Sequence, residues 1–100
     1  MPPSAVFIRH TTKPQQRDKV FAVWQKHMAP AVSANPDHQA YFYCFDNGNP
    51  DVIVVYQQYA SAQAAAVFLQ TPAYLAYLAE VEPLLQGDPE VTSAAPMWSK

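Results

Sequence analysis

Histidine and aromatic side chains are the groups in this 100-residue chain whose types and spacing could do chemistry. His27 follows Trp24 by three residues, so both fall on one face of a predicted helix. An imidazole titrates near neutral pH and can take a proton from a bound hydroxyl group. His27 lies on a predicted buried stripe and is our candidate general base; the alternative is a helix histidine that faces solvent or a backbone carbonyl. His10 and His38 lie at strand ends beside loops, where we expect exposure to solvent.

The segment FLQTPAYLAY, residues 68–77, predicts one wall of an aromatic pocket. Thr71 is a predicted N-cap and Pro72 a predicted first helical residue, so one helix ends here and another begins. The pocket is expected between the helices and a sheet, and ordinary core packing of the same aromatic residues is the alternative. The predicted lining consists of Trp24, His27, Phe68 and Tyr74.

Other kinds of site lack the residues that they need. No two histidines have the spacing of a helical metal site and no Cys-x-x-Cys pattern occurs, so we expect no metal. Gly48 and Gly87 are the only glycines, which leaves no glycine-rich phosphate loop, and we expect no cofactor. Cys44, the single cysteine, cannot form an internal disulfide, and we expect it to be buried among apolar residues.

Charge and hydropathy exclude two classes of partner. The formal net charge is -2 and the 6 lysines and arginines are scattered, so we expect no binding to nucleic acid or to an anionic membrane. No stretch approaches the length of a membrane span, and the N-terminus lacks a signal-peptide pattern. We therefore expect a cytoplasmic protein.

The elements that must position these side chains follow from apolar patterning and from chain breakers. The predicted elements are a strand over 5–8, a helix that Pro30 kinks or ends, strands over 39–45 and 52–59, helices after Ser61 and Pro72, and a strand from about 90 to 98. This order is that of the ferredoxin-like α+β fold, in which two helices cover one face of an antiparallel four-stranded sheet. Half of the residues are apolar, which suffices for one core, and we predict a single domain over residues 1–100.

The predicted hairpin indicates a homodimer. With its loop at residues 47–50, Tyr41 is expected opposite Tyr56, on one face of the sheet. Tyr43 is then expected opposite Val54 on that face. Both faces of the hairpin carry large apolar side chains, so the face without helices needs a cover, and a second copy of the sheet is the economical one. The predicted interface residues are Tyr41, Tyr43, Val54 and Tyr56.

From about Ser4 to Trp98, the chain resembles the antibiotic biosynthesis monooxygenase family, which includes the quinol monooxygenases. The resemblance is carried by the turn TTKPQQR at 11–17 and by FLQTPAYLAY at 68–77. It implies two ferredoxin-like subunits whose sheets close a dimeric α/β barrel, with a pocket between sheet and helices in each. Several members of the family add molecular oxygen to quinols or polyphenols without metal or flavin, whereas others degrade haem or handle signalling molecules.

The chain differs from the family pattern at two positions. Many relatives have histidines where this chain has Phe68 and Ala73, so two acid/base groups are absent. The residues of the haem-degrading branch are also absent. We therefore hypothesise a cofactor-independent monooxygenase that acts on a quinol or polyphenolic small molecule, with His27 as its base. The alternative is a dimer of the same fold that binds small aromatic ligands without catalysis.

Overall fold

Seven helices and strands follow one another along residues 2–100, the part of the chain that the computed structural model describes. They are β1 (Ser4–Thr11), α1 (Arg17–Ala34), β2 (His38–Phe45), β3 (Val52–Tyr59), α2 (Ala62–Phe68), α3 (Pro72–Val81) and β4 (Glu90–Ala94), with a 3-10 turn at Glu82–Leu84. The strands pair antiparallel in the order β2-β3-β1-β4. The predicted ferredoxin-like α+β fold is therefore confirmed.

Local capping chemistry sets the ends of the short helices. The Ser61 hydroxyl accepts the backbone N–H of Ala64 at the start of α2. At the α2–α3 junction, the Thr71 hydroxyl accepts the N–H of Tyr74 and donates to the carbonyl of Phe68, as expected for an N-cap that also closes the preceding turn. The predicted break at Thr71 is confirmed. Pro30, in contrast, does not end α1, which continues to Ala34.

The register of the hairpin differs from the predicted one by one residue. Tyr43 lies opposite Val55, and Cys44 lies opposite Val54. The reason is that the loop covers residues 47–51 rather than 47–50, since the backbone N–H of Asp46 donates to the carbonyl of Val52. The Asp46 carboxylate accepts two N–H groups of this loop, at 2.7 and 3.2 Å. Neighbouring residues of a strand point to opposite faces of the sheet. A shift of one residue therefore changes which residues of β2 share a face with a given residue of β3.

This shift separates the four predicted interface residues into two pairs. Tyr41 and Tyr43 lie on the face that the helices cover, where they pack against the hydrophobic core. Val54 and Tyr56 lie on the other face. We call the first the covered face, which also carries Val6, Ile8, Ile53 and Val55, and the second the open face, which also carries Phe7, Phe42 and Cys44. The prediction that Tyr41 and Tyr43 share a face with Val54 and Tyr56 was wrong.

Two further predictions about burial and length need correction. Cys44 is exposed on the open face rather than buried, because it alternates with the inward-facing Tyr43 and Phe45. The last strand ends at Ala94 rather than near residue 98, and Trp98 is exposed. None of the helices within residues 2–100 is long and apolar enough to cross a membrane.

Candidate functional site

The covered face is the one place in the described fold where tyrosine and histidine side chains gather under the helices. Cross-strand pairing arranges its residues in rows. In order, the rows are His10–Ile53–Phe45, Ile8–Val55–Tyr43, Val6–Gln57–Tyr41 and Ser4–Tyr59–His38. Four aromatic side chains of the helices pack over these rows: Trp24, Phe68, Tyr74 and Tyr77. We call the region between the rows and the helices, which these packed side chains fill, the interior.

His38 forms the outer end of the interior. Its Nδ1 is 2.9 Å from the side-chain amide of Asn35, and its Nε2 is 3.4 Å from Oε1 of Gln57. The Asn35 oxygen already accepts the backbone N–H of Asp37, so the Asn35 amide nitrogen donates to His38 and the ring proton lies on Nε2. Burial lowers the pKa of His38, opposed by the Gln57 hydrogen bond and by the charge of Asp37. His38 is therefore an uncharged, half-buried group rather than an exposed one.

Gln57 connects His38 to the next tyrosine. The hydroxyl of Tyr59 donates to the same Oε1 of Gln57 that faces His38, and the His38 and Tyr59 rings are 4.3 Å apart. Phe68 meets the His38 ring edge-on at 4.5 Å. The outer end thus combines a chain of hydrogen bonds with aromatic walls.

The inner end is formed by His10, which is 4% exposed. Its Nε2 lies 3.5 Å from the hydroxyl oxygen of Tyr77, and its Nδ1 has no partner. The hydroxyl of Tyr43 is likewise buried without a partner. Burial lowers the pKa of His10 to about 4 and raises the pKa of Tyr77 and of Tyr43, so all three are uncharged near neutral pH. The expectation that His10 is exposed was wrong.

Trp24 joins the two ends. Its indole N–H donates to the hydroxyl of Tyr41 at 3.0 Å, and its ring lies 4.8 Å from that of Tyr43. Burial raises the pKa of Tyr41 to about 12, the hydrogen bond from Trp24 opposes this, and the neighbouring Tyr74 adds to it. Tyr41 therefore stays protonated and serves as a hydrogen-bond acceptor for Trp24.

Three of the four predicted pocket residues border this interior, and the fourth does not. The Trp24 ring packs against Tyr41 of β2, and the Phe68 ring packs against those of His38 and Tyr59. The Tyr74 ring lies beside that of Tyr77, at 6.4 Å between ring centres. His27, in contrast, places its Nε2 2.9 Å from the Glu80 carboxylate, which also accepts from Lys26 at 3.3 Å. Its side chain is 21% exposed, at the rim between α1 and α3.

Sequence reasoning missed His10 and Gln57, although a signal existed for both. Strand residues alternate between faces, so His10 shares a face with the apolar Val6 and Ile8, and Gln57 shares one with Val55. A polar residue at an inward position of an apolar strand marks either a buried hydrogen bond or a ligand contact. Within residues 2–100, no cluster of three or more His, Cys, Asp or Glu side chains could hold a metal ion.

Comparison with known proteins found one matching family and several solved structures of the same fold. The family model for antibiotic biosynthesis monooxygenases matches residues 3–80. Rv0793 from Mycobacterium tuberculosis is 27% identical, with 97% of each chain covered and a TM-score of 0.86. A search of curated proteins found no match.

Two further solved structures agree with this chain in fold alone. NE2512 from Nitrosomonas europaea is 21% identical over 100% of this chain and 94% of its own, with a TM-score of 0.85. PA3566 from Pseudomonas aeruginosa is 16% identical over 98% of this chain and 97% of its own, with a TM-score of 0.85. Their low identity means that neither of them carries information about the side chains of the interior.

Proposed function

Because the chain belongs to the antibiotic biosynthesis monooxygenase family, we propose that it is a cofactor-independent monooxygenase acting on a quinol or polyphenolic small molecule within the interior. One observation carries the proposal: Nδ1 of His10 and the hydroxyl of Tyr43 are buried without partners among aromatic rings. Buried polar groups are almost always hydrogen-bonded. A hydroxylated aromatic ring would supply both the missing polar partners and the apolar contact.

The chemistry requires a base and an environment that excludes water. An electron-rich quinol ring reacts with molecular oxygen once a phenolic proton is removed. One oxygen atom is added to the ring and the other leaves as water; the quinol supplies the two electrons and two hydrogens for that water and is itself oxidised to a hydroxyquinone. His10 is uncharged near neutral pH, and when its Nε2–H donates to Tyr77, its Nδ1 presents a lone pair that can take this proton. The hydroxyl of Tyr43 is a donor available to the resulting oxyanion.

This proposal gives the role of base to His10 rather than to His27. The Nε2 of His27 is engaged by Glu80 at the rim, whereas His10 is buried with a free ring nitrogen. The alternative function, ligand binding without turnover, is supported by Phe68 and Ala73, which offer no acid/base group where many relatives have histidines. Both functions use the same interior, so activity measurements must separate them.

Oxygen consumption with a panel of quinols and flavonoids tests the proposal. We expect uptake above a heat-denatured control for at least one compound, and about a hundredfold or greater loss of turnover in His10→Gln. His27→Gln is the matched control and should retain activity. Loss in His27→Gln but not in His10→Gln would return the base to His27. If aromatic ligands quench Trp24 fluorescence without any oxygen uptake, the protein is a binder.

We further propose that two copies pair through their open faces. Phe7 and Phe42 are 47% and 60% exposed there, and both rings pack against Tyr56, at 5.0 and 6.2 Å between ring centres. An aromatic patch of this kind is costly to leave in water, and a symmetric pair would cover both copies. The interface side chains proposed are Phe7, Phe42, Val54 and Tyr56.

A further inference from the structure

A cleft of about 290 Å³ opens at the corner where α1 ends and α2 meets α3. Its outer walls are small side chains of α1 and α2, among them Ala34 and Ala64, and the turn of residues 35–37. Its inner end is closed by Phe68. The volume lies near the lower limit for small-molecule pockets, which suits a ligand of one or two fused rings.

Phe68 belongs to the cleft and to the interior at once. Its ring lines the cleft, yet it is only 4% exposed and also packs edge-on against His38 and 6.1 Å from the ring of Tyr59. His38 and Tyr59 both bond to Gln57, in the third row of the covered face. Phe68 is therefore the aromatic ring that lies between the cleft and the interior, beside the smaller Ala31 and Ala64.

The position of Phe68 in the chain allows this ring to move. It is the last residue of α2, a helix of only 7 residues, and its carbonyl is held by the Thr71 hydroxyl at 2.7 Å. A rotation of the side chain about its own bonds leaves this junction intact. An incoming planar ring could then replace the Phe68 ring against His38, since aromatic pairs are favourable at about 4.5–7 Å between ring centres.

We propose that this cleft is the entrance to the interior and that Phe68 is its gate, which admits one-ring and two-ring hydroxylated aromatic molecules and excludes larger polycyclic ones. The inference rests on the proposed function, because it takes the interior as the site of the aromatic ligand. A gate alters the rate at which a ligand enters and leaves by the same factor, whereas a binding contact alters mainly the rate of leaving.

Stopped-flow quenching of Trp24 by 1,4-naphthoquinone tests the entrance, in a Trp98→Phe background that removes the exposed second tryptophan. Ala34→Phe should fill the cleft and slow association and dissociation alike, each by about tenfold, while Kd changes by less than about twofold. The matched control is Ser33→Phe, which adds the same ring at the neighbouring exposed position of α1. Equal association and dissociation rates in the two variants would overturn the proposal that the cleft is the entrance.

Phe68→Leu tests the gate, because it removes the ring but keeps most of the apolar volume and hence the fold. We expect faster association and dissociation than in the Trp98→Phe parent, and measurable binding of a three-ring anthraquinone that the parent excludes. If Phe68→Leu has the association and dissociation rates of the parent and still does not bind the anthraquinone, the proposal that Phe68 is a gate is overturned. In either negative case, naphthoquinone binding itself would leave the proposed function intact. Absence of quenching in the parent would remove the interior site and its entrance together.

Discussion

The two faces of the sheet are built from alternate residues of the same strands and both carry tyrosine and phenylalanine, yet they differ in which aromatic groups are buried. The covered face has Tyr41 and Tyr43, whose hydroxyls are buried, whereas the open face has Phe7 and Phe42, whose apolar rings are exposed. Burial alone would favour the opposite arrangement. The two proposals account for this difference with a ligand that has polar atoms at the covered face and an apolar partner at the open face.

The largest expected effect comes from placing one carboxylate on each face in turn. Tyr43→Glu puts a charge under the helices, where burial outweighs the attraction of the nearby Arg17, and should cost on the order of 4 kcal/mol of unfolding free energy. Phe42→Glu puts the same charge at the neighbouring exposed position, where it is solvated. We expect Phe42→Glu to keep the wild-type circular dichroism spectrum while its mass by light scattering falls from dimer to monomer.

These two variants also test the assignment of the faces. If Tyr43→Glu folds normally and Phe42→Glu unfolds, the register of the hairpin is shifted back by one residue. A wild-type protein that is monomeric at micromolar concentration would remove the proposed role of the open face. Guanidinium titration of both variants supplies the free energies for this comparison.

The register is also where sequence reasoning failed, for a physical reason. The strand YFYCF is apolar at every position, so a period of two does not tell which residues face the core. The deciding feature is that Asp46 bonds to Val52 through its backbone while its carboxylate caps the loop, so that Asp51 also belongs to the turn. In contrast, the Thr71–Pro72 junction was predicted correctly, because a cap depends on residues that are adjacent in sequence.

The histidines show the same limit of sequence reasoning on a helix. His27 and Met28 both fit the apolar stripe of α1, and the pattern does not separate neighbouring positions. In the structure Met28 takes the buried place and His27 lies at the rim with Glu80. The burial of His10 depends on packing by Tyr77, 67 residues away, which no local pattern reveals.

The second prediction concerns the pH dependence of the covered face. Because burial lowers the pKa of His10 from 6.5 to about 4, the unfolded chain binds a proton there between these values while the folded chain does not. Unfolding free energy should therefore fall as the pH decreases from about 6.5 to about 4, by ~3 kcal/mol, and His10 should add no further loss below that. His38, whose pKa is also lowered, acts in the same direction.

His10→Gln should flatten this part of the profile, measured by urea unfolding at a series of pH values. The matched control is His27→Gln, which should leave the His10 transition in place because His27 contacts Glu80 at the rim and not the covered face. If the dependence of unfolding free energy on pH is the same in His10→Gln as in the wild type, the His10 imidazole of the wild-type protein is hydrated in the folded state. That result would also weaken its proposed role as a base in a site that excludes water.

The third prediction compares the two arginines that contact the hairpin loop from opposite faces. Arg17 donates to the carbonyls of Asp46, Asn49 and Val52, and its guanidinium stacks 4.1 Å above the Phe45 ring. Arg17→Gln should therefore lower the unfolding free energy by ~2 kcal/mol. Arg9 approaches the Asp46 carboxylate only at 3.7 Å and is half exposed, so Arg9→Gln should cost less than ~0.5 kcal/mol.

Thermal unfolding in low and high salt separates these two contributions. The Arg9 effect should vanish in molar salt because exposed ion pairs are screened. The Arg17 effect should remain, since its hydrogen bonds go to uncharged carbonyl groups of the loop. Equal losses in the two variants would mean that the loop is held by charge rather than by this hydrogen bonding.

The smallest effect is expected at the rim, where His27 and Lys26 share the Glu80 carboxylate. Hydrogen bonds from both side chains lower the pKa of Glu80, so the contribution of this contact is present above the usual carboxyl pKa and is lost as the pH falls below about 4.5. Glu80 is exposed, and water and salt screen the pair. His27→Gln should therefore shift Tm by about a degree or less near neutral pH, and should leave oxygen uptake and the His10 transition unchanged. A large loss of turnover together with an unchanged Tm would instead place the chemistry at the rim, and the covered face would then be a packed core rather than a site.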